Sequence, residues 1–136
     1  MIQGDYTELL GETFIEDGWG SCEKINLRGL GKLNIFGRRG NYKAVVSLLK
    51  IRGDFDEPFM AIQRALDDFF NKHGVYPELI FQGAPNGLPF PDWFSRYLHN
   101  NGIHNSIISV EEILMRAREK NLLKLDRFNY RNEFRV

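Results

Sequence analysis

Residues 44–81 read AVVSLLKIRGDFDEPFMAIQRALDDFFNKHGVYPELIF. The first part, Ala44–Ile51, is a mostly apolar run of the length of one strand, and Glu78–Phe81 is a second, shorter run. Between them, apolar residues recur every three or four positions and define the buried face of a helix: Phe59, Ile62, Leu66, Phe69 and Phe70. A strand, a helix and a strand in succession predict a crossover that joins two parallel strands of one sheet.

Turn and cap residues mark the ends of these elements. The glycine-bounded turn Gly37–Asn41 separates Leu33–Phe36 from the first apolar run, which predicts a β-hairpin. Asp56 and its acidic neighbours precede Pro58. Carboxylates favour the positive end of a helix dipole, and proline is tolerated in the first turn. The helix is therefore expected to begin near Pro58 and to run to about Lys72.

The second half of the chain continues the alternation of helices and strands. A second helix is expected to end at Asn100–Gly102, a group suited to a left-handed cap. Ile103–Val110 is expected to contain a third buried strand. Ser109 and Glu112 fit the capping box, in which the hydroxyl and the carboxylate satisfy nearby backbone donors, so a third helix is predicted for residues 110–122.

The order of elements predicts an α/β (α+β) fold class, with a small mixed β-sheet in which a β-hairpin is followed by β-α-β-α crossovers and about three helices. A length of 136 residues fits a single domain, residues 1–136. Residues 1–20 are expected to form an N-terminal helix or an arm. Residues 124–136 alternate apolar and charged side chains, which predicts an edge strand or a docking tail.

Composition narrows the class of protein. The chain is 43% hydrophobic and 26% charged, close to globular averages. Its single cysteine, Cys22, cannot form an internal disulfide and is expected to be a small core residue, and no run of 18 apolar residues occurs. We therefore expect a cytoplasmic protein that does not associate with membranes. The 11 Phe, 5 Tyr and 2 Trp exceed what such a core needs, so some rings are expected at an interface.

The net charge of zero conceals an uneven distribution of charge along the chain. Residues 1–20 carry five acidic residues and no basic one. Residues 21–52 carry eight basic residues, all within 24–52, against Glu23 alone, and residues 116–135 carry seven basic residues against three acidic ones. This asymmetry is typical of a protein that binds nucleic acid or an acidic partner, and it is equally expected if the acidic N-terminus folds onto the basic segments.

Candidate metal-binding and catalytic residues are few. His73, His99 and His104 have no cysteine or carboxylate at ligand spacing in the sequence, so a structural or surface role is expected for each. Asp54 and Asp56 would suit a divalent cation if both side chains pointed to one side of an extended segment, and helix initiation explains them as well. We assign no catalytic residue and no cofactor, and the sequence favours a protein that is not an enzyme.

Three groups of residues are candidates for a binding surface. Arg38 and Arg39, at the hairpin tip, are sterically suited to a phosphate contact. The C-terminal segment interleaves cations and rings, as single-strand binders do, although packing of a tail on the domain explains the rings equally well. Its candidates are Arg127, Tyr130, Arg131 and Phe134. Ligands of such sheets tend to lie at the carboxyl ends of strands. The candidates there are Gln82, Asn86, Phe90 and Trp93.

Residues 69–103 read FFNKHGVYPELIFQGAPNGLPFPDWFSRYLHNNGI. This stretch resembles the middle of a retroviral-integrase or transposase core of the ribonuclease-H-like class. The matching residues are Asn86, Gly87, Phe90, Phe94, Leu98, Gly102 and Ile103. The chain departs from the family at Pro85, which stands in place of a metal-binding Asp and has no side-chain oxygen. The resemblance implies a related fold without two-metal catalysis, even if Glu111, Glu112 or Glu119 supplies the family's later Glu.

The leading hypothesis from the sequence is a non-enzymatic macromolecular interaction module that binds or inhibits another protein. The alternative is a nucleic-acid-binding protein that uses the basic segments 24–52 and 116–135. A second alternative is a divalent-metal-dependent phosphoryl-transfer enzyme. Self-association into a homo-oligomer is compatible with each hypothesis.

Overall fold

The computed structural model describes residues 4–28, 30–49, 51, 56–83 and 90–123. In chain order the elements are α1 (Thr7–Glu16), β1 (Gly20–Leu27), β2 (Gly31–Arg38), β3 (Asn41–Ser47), α2 (Asp56–His73), β4 (Glu78–Gln82), α3 (Asp92–Asn100), β5 (Asn105–Ile108) and α4 (Val110–Glu119). Six predicted site residues lie outside the described residues, as does the predicted docking tail: Asp54, Asn86, Arg127, Tyr130, Arg131 and Phe134. None of the helices in this part of the chain has the length and apolar composition of a membrane span.

The five strands form one mixed sheet in the order β1-β2-β3-β4-β5. The first three strands are antiparallel neighbours, whereas β3–β4 and β4–β5 are parallel pairs. Parallel neighbours require crossover connections, and α2 and α3 lie in those connections. The predicted α/β fold class is confirmed. The described residues form four helices rather than about three because α1 precedes the sheet.

The predicted hairpin between β2 and β3 has a loop of two residues. Arg38 pairs with Asn41 across the loop, and Arg39 and Gly40 between them have φ angles of 52° and 82°. Positive φ at both central residues is the feature of a type I′ turn, whose twist matches that of the flanking strands. Gly40 adopts this conformation readily because it has no Cβ, whereas Arg39 does so with an exposed side chain.

Helices cover both faces of the sheet. Successive side chains of a strand point to opposite faces. In β3, Ala44 and Val46 accordingly belong to the core beneath α2 and α3, while Val45 belongs to the core beneath α1 and α4. The apolar stripe predicted for α2 supplies the first core, in which Phe59 and Leu66 are fully buried.

The end of α4 is set by its backbone geometry. Asn121 has a φ of 60°, and the backbone N–H of Leu122 donates to the carbonyl of Ala117 at 2.9 Å. A left-handed residue followed by this bond is the Schellman motif, which satisfies carbonyls at a helix end. The motif ends α4 at Glu119 instead of the predicted residue 122 and returns the buried Leu122 to the core. Gly102 ends α3 in the same way, as the predicted left-handed cap.

Strand β5 differs from the prediction of a buried strand within Ile103–Val110. Of its four residues only Ile108 is buried, and Ile107 is 53% exposed. The reason is its position in the sheet, because among the strands of the described residues β5 comes last and is paired with β4 alone.

Candidate functional site

Gln82, a predicted site residue, ends β4 and is completely buried. Its Nε2 donates to the carbonyl of Gly4 at 2.6 Å, and its Oε1 accepts from the backbone N–H of Tyr6 at 2.7 Å. Both ends of the amide therefore hold the segment that leads into α1. At this end of β4, the residue expected to face a ligand instead binds the protein's own backbone.

Phe90 and Trp93, two further predicted site residues, lie where α3 meets α2. The ring of Phe90 packs against Phe59 and Phe81, with centroid distances of 5.5 and 4.9 Å. Trp93 is half-buried, and its Nε1 donates to Oδ1 of Asp56 at 2.9 Å. These contacts dock α3 on the first turn of α2.

The two predicted arginines at the hairpin tip have different surroundings. Arg38 donates from Nη1 to the carbonyl of Asp17 at 2.8 Å, and its guanidinium lies 4.6 Å from the centroid of the Trp19 ring. A cation over an aromatic face is attracted by the ring quadrupole, so this contact fixes the side chain. Arg39 is exposed at the tip of the turn.

Ion pairs connect segments of opposite charge. Lys120, in the basic C-terminal segment, pairs with Asp17 in the acidic N-terminal one. A hydrogen bond to Asp17 and the charge of that carboxylate raise the pKa of Lys120. Lys43 binds Glu78 with an Nζ–Oε1 distance of 2.8 Å. Part of the charge asymmetry along the chain is therefore neutralised within the fold.

Asp67 connects α2 to two tyrosines. Its Oδ1 accepts hydrogen bonds from the hydroxyl of Tyr97, at 2.6 Å, and from the hydroxyl of Tyr76, at 3.0 Å. Burial raises the pKa of Tyr97 far above its ordinary value, and the hydrogen bond to Asp67 and its negative charge raise it further. The pKa of Tyr76 is raised by the same causes. Both hydroxyls therefore remain neutral donors.

An exposed aromatic patch, defined as Phe70, Val75 and Tyr76, lies beside this network. Phe70 and Val75 are each 41% exposed. The ring of Phe70 stacks on that of Tyr76 with a centroid distance of 4.6 Å and an interplanar angle of 26°. The Tyr76 ring is in turn fixed by its bond to Asp67. The patch thus combines exposed apolar side chains with a stacked ring pair that is anchored to Asp67.

The assignment of Phe70 to the buried face of α2 was wrong. Phe69 takes the core position and is only 1% exposed. Consecutive helical residues are about 100° apart around the axis, so Phe69 and Phe70 point in different directions. Two adjacent rings on a helix are the sequence signal that would have placed one of them at the surface.

The expectation of a core position for Cys22 was wrong, whereas His73 lies at the surface as expected. Nε2 of His73 lies 3.2 Å from Oε2 of Glu23, although the two residues are 50 positions apart. One ligand atom from each of Cys22, Glu23 and His73 lies within 4.8 Å of the others. Cys22 is exposed rather than part of the core. The sequence spacing held no sign of this cluster because the fold alone brings β1 to the end of α2.

The surroundings of Cys22 do not favour its thiolate form. Partial burial raises its pKa, the neighbouring Glu23 carboxylate raises it further, and Lys72 acts in the opposite direction. Reactive cysteines depend on a lowered pKa, since the thiolate is the nucleophile. A divalent ion, in contrast, deprotonates the thiol that it binds, so Cys22 remains a candidate ligand.

Comparison with models of protein families, with curated proteins and with solved structures found no match for the chain. The resemblance of residues 69–103 to the ribonuclease-H-like cores stays a prediction. The function is accordingly inferred from the residues themselves.

Proposed function

We propose that the chain is a non-enzymatic interaction module that binds another protein through the aromatic patch. The stacked pair of Phe70 and Tyr76 supports this proposal, because Phe70 is 41% exposed although its ring is held in place. Aromatic residues are enriched in the buried centres of protein interfaces. A small number of such anchors supplies most of the binding energy at an interface.

The patch is suited to binding because its rings are fixed in advance. Tyr76 is bound to Asp67 and packs edge-on against Tyr97, with a centroid distance of 6.4 Å. Immobilising a mobile side chain on binding costs about 0.5–1.5 kcal/mol. Rings that are already ordered avoid much of this cost.

The contacts of the patch indicate the chemistry of its partner. Asp67 is the acidic residue bound to the patch, and its Oδ1 already accepts hydrogen bonds from Tyr76 and Tyr97. The exposed parts of Phe70 and Val75 are apolar. The partner is therefore expected to offer an apolar or aromatic anchor.

Immobilised wild-type protein and two variants test the proposal. Phe70→Ser removes the centre of the patch, and Met115→Ser removes a side chain of similar exposure, 47%, from α4 on the opposite side of the sheet. A protein captured from the source-cell lysate after nuclease treatment is purified, and its affinity for each variant is measured. Phe70→Ser should weaken binding by about 2 kcal/mol or more, the magnitude typical of a hot spot, with no change for Met115→Ser. Equal losses for both variants, or no captured protein, would contradict the proposal.

The same capture experiment distinguishes a protein partner from a nucleic-acid partner. Binding that nuclease abolishes and that weakens steeply with salt would favour a nucleic-acid partner for segments 24–52 and 116–135. Arg38, Lys43 and Lys120 already make contacts within the chain, which gives this alternative less support. The phosphoryl-transfer alternative needs a separate measurement. It predicts that magnesium or manganese raises the Tm of the protein. The cytoplasmic location stays a prediction.

A further inference from the structure

The cluster of Cys22, Glu23 and His73 depends on an irregularity in β1. The pairing of β1 with β2 passes from Ser21↔Phe36 to Glu23↔Ile35, so Cys22 is an extra residue without its own partner on β2. This is a β-bulge, which bends a strand and re-aims its side chains. In a regular strand Cys22 and Glu23 would point to opposite faces. The bulge instead lets both side chains approach the last residue of α2.

His73 is held in place from the other side. Its ring stacks on Phe69 with a centroid distance of 4.2 Å and lies 5.4 Å from the Tyr42 ring. Gly37 provides room for Tyr42, since a Cβ at Gly37 would lie 2.8 Å from that ring. The imidazole is thereby directed towards Glu23, with 3.2 Å between Nε2 and Oε2. Fixing the ring of a ligand histidine is the usual task of the residues around a metal site.

The three donor atoms suit a zinc-class ion in their chemical type and in the distances between them. With metal–ligand distances of about 2.0–2.3 Å, tetrahedral ligands lie about 3.3–3.8 Å from one another. The donor atoms of the cluster lie within 4.8 Å of one another, so a movement of about 1 Å by the exposed Cys22 side chain closes the site. A thiolate and a carboxylate balance the charge of a divalent ion, and a neutral imidazole completes the set. Thiolate and imidazole ligands favour transition metals such as zinc over magnesium or calcium.

We propose that Cys22, Glu23 and His73 form a binding site for a divalent transition-metal ion of the zinc class, with water as the fourth ligand. Three protein ligands and one open position distinguish such a site from a closed structural one. The ion connects the edge strand β1 to the end of α2, and its exposed position makes it exchangeable. This site does not depend on the proposed binding of a protein partner.

Lys72 is the cation that the metal ion would replace. Its Nζ lies 3.5 Å from Oε1 of Glu23, and its side chain is 64% exposed. A lysine with this freedom moves into solvent when a divalent ion takes over the carboxylate. Removing the charge of Lys72 should therefore strengthen metal binding. A surface cysteine that bound the ion without Glu23 would not show this effect.

Cobalt(II) titration of the full chain, without an affinity tag and under reducing conditions, tests the site. Because Cys22 is the single cysteine, a thiolate-to-cobalt charge-transfer band reports on this residue alone. We expect a band that saturates at one ion per chain, is displaced by zinc and is absent from Cys22→Ser. Loss of a residue that only positions a metal ligand typically weakens metal binding about 10–100-fold. His73→Gln and Glu23→Gln remove the ligands themselves, so each should weaken cobalt binding at least about tenfold.

Matched variants and a second readout make the test decisive. His99→Gln, at an exposed histidine outside the cluster, should bind cobalt as the wild type does, and Lys72→Gln should bind it more tightly. Zinc should raise the Tm of the wild type and of His99→Gln but not that of Cys22→Ser. The absence of a band, or a band that His73→Gln leaves unchanged, would overturn the proposal. One ion per two chains with a doubled mass in sedimentation would overturn it too, because the ion would then bridge two copies.

Discussion

The hydroxyl of Tyr97 donates a hydrogen bond of 2.6 Å to Oδ1 of Asp67, a residue 30 positions earlier in the chain. An O–H···O⁻ bond of this length is charge-assisted, and such bonds are about twice as strong as neutral ones. The bond links α3 to α2 on the face of the sheet that these two helices cover, next to the aromatic patch. It therefore supports both the packing of the helices and the orientation of Tyr76.

Replacing Tyr97 with Phe should destabilise the protein. The substitution removes the donor and leaves a half-buried carboxylate with one bond fewer, and hydrogen bonds to charged groups contribute about 1.5–3 kcal/mol. Urea denaturation should show a loss near the lower end of that range. Tyr76→Phe is the matched control, and its weaker bond of 3.0 Å predicts a smaller loss. A midpoint for Tyr97→Phe equal to that of the wild type would contradict this account.

The same tyrosine predicts a dependence of stability on alkaline pH. The pKa of Tyr97 is raised in the folded state by burial and by Asp67, whereas the pKa of an unfolded tyrosine is about 10. The folded state therefore keeps a proton that the unfolded state releases, and its stability falls as pH rises above that value. Below it the contribution of Tyr97 is fully present.

Denaturation midpoints of the wild type and Tyr97→Phe between neutral pH and pH about 11 would measure this dependence, since Tyr97 is the group removed. The difference between the two proteins should shrink with increasing pH. A difference that stays constant across the range would show that Tyr97 does not titrate on unfolding.

Changing Gln82 to Glu should release the N-terminal segment. The carboxylate still accepts from the N–H of Tyr6 but cannot donate to the carbonyl of Gly4, and it places a charge at a fully buried position. Hydrogen exchange at the amides of residues 4–10 should become faster than in the wild type. Arg39→Gln, at the exposed hairpin tip, serves as the control, and equally slow exchange in both variants would argue against the proposed role of Gln82.

Ser109 should stabilise α4 through its side chain. Its Oγ accepts from the backbone N–H of Glu112 at 3.1 Å, as the sequence predicted, while the Glu112 carboxylate binds Nε of Arg116 at 2.9 Å. Removal of such a cap typically costs about 1 kcal/mol. Thermal unfolding should show this loss for Ser109→Ala and almost none for Ser106→Ala, an exposed serine in β5.

The sequence predicted those parts of the fold that depend on local periodicity. Helix α2 follows from the spacing of Phe59, Ile62 and Leu66, and the hairpin follows from the turn that contains Gly40. Strand β1 was not predicted as a separate element, because its side chains are mostly exposed or half-buried and the bulge interrupts their alternation. The order of the strands depends on contacts between distant segments, which no short window of sequence contains.

The candidate sites were less predictable than the fold for the same reason. The patch depends on which of two adjacent phenylalanines enters the core, and this is decided by the rotation of α2 against the sheet. The metal-ligand cluster joins Glu23 to His73 across 50 positions and requires an unpaired residue at Cys22. Arg38 was predicted from its exposed position in a turn, but its contact with Trp19 became visible only in three dimensions.

The bulge at Cys22 also affects how copies of the chain meet. Among the described strands β1 forms one border of the sheet, and a border of eight residues without an irregularity would present a regular row of backbone groups to another strand. The extra residue breaks the regular spacing of those groups and increases the local twist. The same irregularity that gathers three side chains around one point therefore makes this border a less regular template for another strand.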